Sequence, residues 1–295
     1  MLNHGRQEPV KPERVAVIGA KGFVGRRLAS LLAETAIPCL ALSSADIDLS
    51  TTGAADRLAQ QLRPTDAVVM LAALTPDKGR GIGPLESNIR MMAAVCAACE
   101  AVPPAHLVYI SSDAVYPMQD GPISEATPAE PTDLYATMHI TRELMAKTAA
   151  KSPVAVLRPT LIYGAEDTHN SYGPNRLRRM ALKDSRVTLF GEGEETRDHI
   201  SVDDVCRLIL LTLQHRSQGL LNLATGHSIS YMDLARKVAG LFDTPVDIIT
   251  TPRQNLVTRR HFDVSALHRA FPDFAFEPLD TGLKNAHLGM MATQN

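Results

Sequence analysis

The first half of the chain alternates short apolar runs with longer stretches of helical pattern, and this alternation constrains the fold more than any other feature. The apolar runs are continuous, which is typical of strands buried on both faces of a parallel sheet. The predicted strands lie at 14–19, 38–43, 66–72, 106–111 and 153–159, with helices near 23–34, 53–63, 84–101 and 133–151. The pattern predicts an α/β fold with a doubly wound parallel sheet.

The pattern changes after Pro159. Loops containing glycine and proline separate shorter elements there, and two helix starts have capping-box spacing: Ser201 with Asp204, and Ser230 with Asp233. We expect a smaller, mixed α/β C-terminal lobe in which some segments return to the main sheet. The predicted divisions are a flexible tail over 1–13, the main domain over 14–160 and the lobe over 161–295.

Composition and charge exclude several classes of protein. Apolar residues make up 45% of the 295 residues and charged residues 21%, as expected of a globular protein. A formal net charge of −2 gives no global electrostatic reason to expect nucleic acid or an anionic membrane as a partner. No stretch is long enough to cross a membrane, and residues 1–13 lack the apolar run of a signal peptide.

The four cysteines do not suggest a disulfide framework in a chain of this length. Cys96 and Cys99 form a CxxC pair, but they lie in an alanine-rich helical stretch without a second pair of ligands. We interpret them as small buried helix residues and expect no metal site. Together with the lack of a signal peptide, this indicates a reduced, cytoplasmic protein.

The first predicted strand runs directly into a glycine turn, Gly19-Ala-Lys-Gly22-Phe-Val-Gly25, and then into a helix. Glycine allows the tight bend and lets the backbone approach a pyrophosphate, while the helix N-terminus supplies unpaired N–H groups. After the first strand of a βαβ pattern, such a turn indicates a Rossmann domain that binds NAD or NADP.

The GxxGxxG spacing resembles the fingerprint of the extended short-chain dehydrogenase/reductase family, of the NAD-dependent epimerase/dehydratase type that acts on nucleotide-sugars. The resemblance covers nearly the whole chain and implies an NAD(P)-binding domain over 14–160 followed by a substrate-binding lobe. The residues that it places against the cofactor are Gly19, Gly22, Phe23, Val24, Gly25, Ser43, Asp48, Leu71, Ala72, Ala73, Tyr135 and His139.

Several of these positions have alternative interpretations. Ser43 stands where NAD-specific domains usually carry an acid; it neither holds the ribose bidentately nor repels a 2′-phosphate, so NAD and NADP both stay open. Asp48 either lies near the adenine or caps a turn. Ala72 and Ala73 either let the dinucleotide pass close to the backbone or pack in the core.

The resemblance also implies a catalytic group. Ser112 follows the fourth predicted strand and Tyr135 heads the next helix, and family members use these two hydroxyls to move the proton that accompanies hydride transfer. A tyrosine with a pKa of about 10 needs a neighbouring positive charge to act as a base at neutral pH. The family supplies a lysine four residues after the tyrosine, on the same helix face, but here that residue is His139. A histidine can hydrogen-bond a ribose, yet with an ordinary pKa of about 6.5 it is mostly uncharged at neutral pH.

Further segments extend the resemblance to the substrate side. Arg197 lies in a segment similar to GxGxxxRDxxxVxD, and Arg253 matches a second arginine near the C-terminus. The resemblance implies that these two guanidinium groups grip the diphosphate of the substrate. The full set that it implies for the substrate is Ser112, Asp113, Asn175, Arg197 and Arg253. His169 is either a sugar contact, a second acid/base or an exposed loop residue.

Asp113 is followed by Ala114, where the family's 4,6-dehydratases carry an Asp-Glu pair, so a dehydratase is not expected. The leading hypothesis is an NAD(P)-dependent nucleotide-sugar epimerase or keto-reductase, with hydride transfer at a sugar carbon and proton transfer by Tyr135 and Ser112. The alternative is a catalytically silent sensor that binds NAD(P) or a nucleotide-sugar, because His139 replaces the lysine. A homodimer is one option for the assembly.

Overall fold

The first half of the chain alternates strands and helices as the sequence predicts. The computed structural model describes residues 1–118, 121–167, 173–253 and 256–292. In chain order the elements are β1 (Arg14–Ile18), α1 (Phe23–Glu34), β2 (Cys39–Leu42), α2 (Ala54–Ala59), β3 (Asp66–Met70), α3 (Ile82–Ala101), β4 (His106–Ile110), β5 (Pro122–Ile123), α4 (Leu134–Ala149) and β6 (Val154–Pro159). Short 3₁₀ turns over Pro76–Lys78 and Asp113–Val115 follow β3 and β4.

The second half has shorter strands and more loops. Its elements are β7 (Leu161–Tyr163), α5 (Pro174–Asp184), β8 (Arg186–Phe190), β9 (Thr196–Ser201), α6 (Val202–Gln214), β10 (Gly219–Leu223), β11 (Ser228–Ser230), α7 (Tyr231–Ala239), β12 (Asp247–Thr251), β13 (His261–Phe262), α8 (Ser265–Ala270) and α9 (Leu279–Ala292). The predicted capping serines begin α6 and α7, since Ser201 and Ser230 each accept a backbone N–H three residues later at 3.0 Å.

The main sheet has the strand order β10-β6-β4-β3-β1-β2, and every neighbouring pair is parallel. The chain moves from β1 outward to β2 and then crosses back to place β3 on the other side of β1. This reversal is a topological switch point, where a crevice forms beyond the carboxyl ends of the two strands.

Alternate residues of each central strand contribute to different cores. In β1, Val15 and Val17 face the apolar cluster that includes α1 and α6, whereas Ala16 and Ile18 face the cluster that includes α2, α3 and α4. Every residue of β3 is buried. Helices therefore cover both faces of the sheet, and the predicted doubly wound α/β fold is confirmed.

The segments after Pro159 contribute a strand to the main sheet and also form an apolar cluster of their own. β10 pairs with β6 at the edge of the sheet, while β7, β9 and β11 form a separate three-stranded sheet. Residues 1–13, the predicted tail, run past the end of α6, where the Arg6 N–H donates to the His215 carbonyl oxygen at 2.9 Å. The division of the chain into three parts stays a prediction. Within the described ranges, no helix combines the length and apolar character needed to cross a bilayer.

Candidate active site

A cavity of about 860 Å³ opens at the carboxyl ends of β1 and β3, where the strand order reverses. Its volume lies within the range of roughly 300–1,000 Å³ that ligand pockets span. The predicted cofactor residues line it together: Gly19, Gly22, Phe23, Val24, Gly25, Ser43, Asp48, Leu71, Ala72, Ala73, Tyr135 and His139. Ser112 and Asp113 line the same cavity, so the structure brings the predicted catalytic residues to the predicted dinucleotide site.

The three glycines of the turn differ in what an added side chain would meet. Gly19 has a positive φ of 97°, and a Cβ there would lie 2.7 Å from the Ala72 backbone nitrogen. At Gly25 a Cβ would collide with the Gly19 carbonyl group, because α1 packs directly against the turn. At Gly22 a Cβ would meet only the Gly19 carbonyl oxygen, at 3.2 Å. Gly22 is therefore the position where a side chain would extend toward the cavity rather than into the protein.

The N-terminus of α1 suits an anion. Gly22 is the N-cap residue, so no side chain caps the first N–H groups of this helix of 12 residues. The first turn also carries no acidic residue. Unpaired amides and the positive end of the helix dipole then face the cavity, which is the environment that a pyrophosphate prefers. The chain's own residues thus fit a dinucleotide at this place.

The part of the cavity that follows β2 is organised by short local hydrogen bonds. The Ser43 hydroxyl donates to Asp46 Oδ2 at 2.6 Å, and its backbone N–H donates to the same oxygen at 2.9 Å. Asp48 accepts from the backbone N–H and hydroxyl of Ser50, which lower the pKa of its carboxyl. Asp48 thus both caps a turn and lines the cavity, and the choice between NAD and NADP stays open.

Tyr135 and Ser112 come from two neighbouring elements. Ser112 follows β4, where its hydroxyl oxygen accepts the Ala114 N–H at 3.1 Å and caps the 3₁₀ turn. Tyr135 lies in the first turn of α4, which Asp133 caps by accepting the Ala136 N–H at 2.8 Å. Burial, reinforced by the nearby Asp113 carboxylate, raises the pKa of Tyr135 to about 12, while Arg142 and hydrogen bonding by Ser112 oppose the rise.

His139 is buried one turn below Tyr135, with the two rings edge to face at 4.7 Å between centroids. Burial, together with the charges of Arg142 and Arg158, lowers the pKa of His139 to about 3, so the imidazole is neutral. Its Nδ1 lies 2.7 Å from the Tyr109 hydroxyl. Burial raises the pKa of Tyr109, and its protonated phenol is therefore the donor to Nδ1.

This hydrogen bond assigns the proton of the neutral imidazole to Nε2. His139 Nε2 is buried and has no hydrogen-bond partner within the described residues. A buried N–H donor that faces a cavity without a partner is unfavourable unless a ligand accepts it. His139 thus presents one fixed donor, but no positive charge, where a lysine would present both.

Asp113 meets an arginine that the sequence did not reveal. Arg260 is buried; its Nη1 donates to Asp113 Oδ2 at 3.1 Å, and its Nη2 donates to the carbonyl oxygens of Asp113 and Tyr116, each at 3.0 Å. Burial raises the pKa of Asp113, and Arg260 and Arg197 oppose that rise. Since Arg260 comes from a loop 147 residues away in the chain, no local pattern could have indicated the pair.

Asn175, predicted to contact the nucleotide, uses its amide inside the protein. Its Oδ1 accepts from the Gly164 N–H at 3.2 Å and from Arg178 Nη2 at 2.6 Å, and its Nδ2 donates to Asp167 at 2.7 Å. These contacts hold the loop after β7 against α5. His169 lies outside the described residues.

Arg197 and Arg253, the predicted diphosphate ligands, lie close together and share a carboxylate. Arg197 Nη2 donates to Glu195 Oε1 at 2.7 Å, and Arg253 Nη1 donates to Glu195 Oε2 at 3.3 Å. Arg253 also pairs with Glu194 at 3.2 Å, and Arg197 donates to the Thr258 carbonyl oxygen at 3.0 Å. The two arginines thus lie near each other but are paired with Glu194 and Glu195, contacts that the sequence did not indicate, and their role as diphosphate ligands stays a prediction.

The CxxC cysteines lie on α3, where both thiols are buried, and burial raises their pKa values. Across the described ranges, no group of three or more histidine, cysteine or acidic side chains is arranged to hold a metal ion.

Comparison with known proteins identifies a matching family and a similar protein. The model of the NAD dependent epimerase/dehydratase family matches residues 15–224. The dTDP-L-rhamnose 4-epimerase of Burkholderia thailandensis is 30% identical over 130 residues, which make up 41% of this chain and 36% of that protein. The chain thus aligns with little more than a third of the length of that relative.

Solved structures resemble the chain over almost its whole length. The complex of MoeE5 with UDP-glucose and NAD has a TM-score of 0.82 at 24% identity and covers 96% of this chain and 100% of its own. The GDP-L-fucose synthetase of Naegleria fowleri bound to NADP has a TM-score of 0.87 at 17% identity, covering 100% and 98%. The UDP-glucose 4-epimerase of Thermus thermophilus with NAD has a TM-score of 0.80 at 19% identity, covering 94% and 99%. At these identities the similarity establishes the fold.

Proposed function

The chain belongs to the NAD dependent epimerase/dehydratase family, and from this premise we propose that it is an NAD(P)-dependent nucleotide-sugar epimerase or keto-reductase. Hydride transfer takes place at a sugar carbon, and Tyr135 with Ser112 moves the hydroxyl proton. The observation that carries the proposal is the convergence of the glycine turn and these two hydroxyls on one cavity.

NAD or NADP, when bound in this cavity, would supply or accept the hydride through its nicotinamide ring. The Gly19–Gly25 turn and the uncapped start of α1 would hold the pyrophosphate. Ala72 and Ala73, at the end of β3, leave room for the dinucleotide to pass close to the backbone. The Nε2–H of His139 would donate to a ribose hydroxyl, which gives this buried donor a partner.

The proton step follows from the environment of Tyr135. With a pKa raised to about 12, its phenol is protonated at neutral pH. In the direction of reduction, it would therefore donate its proton to the sugar oxygen as the alkoxide develops. The Ser112 hydroxyl, which lines the same cavity, would hold that oxygen in place. In the direction of oxidation Tyr135 must ionise first, and its surroundings have to supply positive charge to make this possible.

The substrate side would recognise a nucleoside diphosphate through Arg197 and Arg253. Arg197 lies on β9 and Arg253 follows β12, and two guanidinium groups from separate segments can each bind a phosphate bidentately. Because both arginines are paired with Glu194 and Glu195, a diphosphate has to replace carboxylate oxygens as their partner. Asp113, which lines the same cavity, would contact the sugar. An acid is missing at Ala114, so the proposal does not include a 4,6-dehydratase.

The test combines identification of the bound cofactor with an activity screen. Mass spectrometry of small molecules released from the denatured purified protein would show whether a dinucleotide is retained, as expected for an epimerase. A panel of nucleotide-sugars would then be assayed with NAD and with NADPH, using Tyr135→Phe as the control. Turnover of a nucleotide-sugar by the wild type alone supports the proposal. Binding of dinucleotide and nucleotide-sugar without turnover would contradict it and support a silent sensor.

A further inference from the structure

Arg142 lies on α4 three residues after His139, and its side chain is completely buried. Its Nη2 donates to the Ala72 carbonyl oxygen at 2.8 Å, while Nη1 lies 3.5 Å from Asn88 Oδ1 and 3.7 Å from Met138 Sδ. Its Nε has no partner, and no carboxylate in the described part of the chain forms an ion pair with the group. A buried cation without a counter-ion is costly, so its charge calls for an explanation.

The side chain of Arg142 points back toward the start of α4. Long side chains on a helix lean toward its N-terminus, and the contact with Met138, four residues earlier, shows this direction. The guanidinium carbon lies 5.3 Å from the centroid of the Tyr109 ring. The Tyr109 hydroxyl bonds His139, whose ring meets Tyr135 edge to face. The guanidinium group thus lies next to a series of three contacting rings, Tyr109, His139 and Tyr135, of which Tyr135 is the proposed acid/base.

We propose that Arg142 is the cation of this active site: from behind the rings of Tyr109 and His139, it stabilises the ionised form of Tyr135. The proposal rests on the proposed function of Tyr135. Arg142 does not line the cavity, so it acts as a positioning residue rather than by touching substrate or cofactor. The two roles of a lysine at position 139 are then divided. His139 supplies the hydrogen-bond donor, and Arg142 supplies the charge.

The charges around Tyr135 come from three places. Asp113, on the 3₁₀ turn after β4, and Asp133, at the start of α4, both oppose ionisation of the phenol. Ser112 favours it by hydrogen bonding, and Arg142 favours it by its charge. Arg260 also lies near this group, but it is paired with Asp113 at 3.1 Å. Among the leading influences on the pKa of Tyr135, Arg142 is the one that favours ionisation by a positive charge.

The groups around Arg142 and His139 are consistent with this assignment. Those that face Arg142 are Tyr135 on its own helix, Tyr109 on β4 and Cys96 on α3. Arg158 on β6 also faces His139, but Glu143 binds its guanidinium through two hydrogen bonds of 2.8 Å. Arg158 is therefore locally neutralised, whereas Arg142 is not.

Arg142 also has a structural contact, and the test must separate this contact from its charge. Its bond to the Ala72 carbonyl oxygen fixes the backbone after β3, where Asn88 also accepts from the Leu74 N–H at 2.8 Å. Arg142→Gln is neutral but keeps an N–H donor for Ala72. Asn88→Ala weakens the same loop but keeps the charge, so it is the matched control.

The experiment is a pH titration of Tyr135 by fluorine NMR in the full chain labelled with 3-fluorotyrosine, whose phenol ionises at lower pH than that of tyrosine. The chain has six tyrosines, and the Tyr135→Phe variant identifies the resonance of Tyr135.

We expect Arg142→Met and Arg142→Gln to raise the ionisation midpoint of Tyr135 by about one pH unit, as for a unit charge in a partly polar interior. Arg142→Lys and Asn88→Ala should leave it near the wild-type value. The double variant His139→Lys, Arg142→Met should lower it again.

An unchanged midpoint in folded Arg142→Met or Arg142→Gln would overturn the proposal. The proposal would also be overturned if the charge were needed for folding alone. In that case Arg142→Lys would fold, but Arg142→Met, Arg142→Gln and the double variant would not. The titration does not depend on turnover. If the midpoint responds to Arg142 but no nucleotide-sugar reacts, the proposed function fails while the electrostatic assignment stands. If turnover depends on Tyr135 but the ionisation midpoint of Tyr135 is the same in the Arg142 variants as in the wild type, only this inference fails.

Discussion

The proposed cofactor half and the proposed substrate half of the site are built in different ways. Around the glycine turn, the groups that would bind a ligand belong to the backbone: the uncapped N–H groups of α1 and the bend at Gly19. On the proposed substrate side, the groups that would bind a ligand are long side chains, and Arg197 and Arg253 already pair with Glu195. A site made of backbone exists before its ligand arrives, whereas a site made of paired side chains must exchange partners. We therefore expect side-chain substitutions on the proposed substrate side to change the affinity for a nucleoside diphosphate more than the affinity for a dinucleotide.

The largest effect is expected where the two halves meet, at Tyr135. Tyr135→Phe removes one hydroxyl and should lower kcat by about 10³-fold, as typical of lost general acid–base catalysis. Dinucleotide affinity, measured by calorimetry, should stay near the wild-type value because the turn at Gly22 is unchanged. Activity that survives the substitution would show that the proton moves through another group, with Asp113 and His169 the first to examine.

The next largest effect is expected on the affinity for NAD(P), and on the proposed cofactor half alone. Gly22→Asp places a carboxylate at the N-cap of α1 and should weaken NAD(P) binding by roughly 100-fold or more, because the charge faces the pyrophosphate. The matched control is Gly81→Asp, the same change at the N-cap glycine of α3, where a Cβ meets nothing within 4 Å. Unchanged NAD(P) affinity in the folded Gly22→Asp protein would remove the turn from the cofactor site.

A smaller effect is expected on the substrate half. Arg197→Ala should weaken binding of a nucleoside diphosphate by roughly 10-fold, since a charge-assisted contact is lost but a bond to Glu195 no longer has to be broken. NAD(P) affinity should not change. If both ligands or neither respond in calorimetry, Arg197 does not belong to a substrate site that is separate from the cofactor site.

A substitution at Glu195 should have the opposite effect on the proposed substrate side. Glu195→Gln removes the carboxylate shared by the two arginines and should strengthen nucleoside diphosphate binding by a few-fold, in keeping with the modest energy of partly exposed ion pairs. Weaker binding after this substitution would mean that Glu195 holds the arginines in their binding positions rather than competing with the ligand.

The smallest effect should come from His139→Lys. Because the pKa of His139 is lowered to about 3, the wild-type pH profile should show no step from this imidazole between pH 5 and 8. A lysine ammonium adds a charge near Tyr135 and lowers its pKa, so the oxidative rate should begin to rise at lower pH, with a gain of roughly a few-fold near pH 8. An acidic limb near pH 6.5 in the wild type, absent from His139→Lys, would show that His139 titrates after all.

The two halves also differ in how far the sequence could predict them. The glycine turn and the strand ends lie in short segments whose order along the chain determines their place in a doubly wound sheet, so the strand and helix pattern predicted that they meet at one edge. Ser112 and Tyr135, the proposed catalytic pair, were indicated by the family resemblance, and both line the same cavity. The partners of long side chains come from distant segments, as in Arg260 with Asp113 or Arg253 with Glu195, and local patterns do not encode such pairs.

The environment of His139 shows the same limit. The sequence places an imidazole one turn after Tyr135, but it does not show that Tyr109 reaches it from β4 or that burial keeps it neutral. Nor does it reveal that Arg142, which looks like an ordinary charge on a helix, is completely buried. Burial and pairing depend on how separate elements pack, which the order of residues within one element does not determine.

The proposed reaction passes a hydride between the cofactor and a sugar carbon in the cavity that Tyr135 lines. The most direct measurement starts from a nucleotide-sugar accepted in the screen. It follows deuterium, placed either at the reacting sugar carbon or at nicotinamide C4 of NADPH, by mass spectrometry in deuterium-free water. We expect the label to move between cofactor and sugar carbon without exchange with solvent, and Tyr135→Phe to abolish the transfer. Loss of the label to water, with product still formed, would show that the carbon gives up a proton rather than a hydride, which excludes hydride transfer.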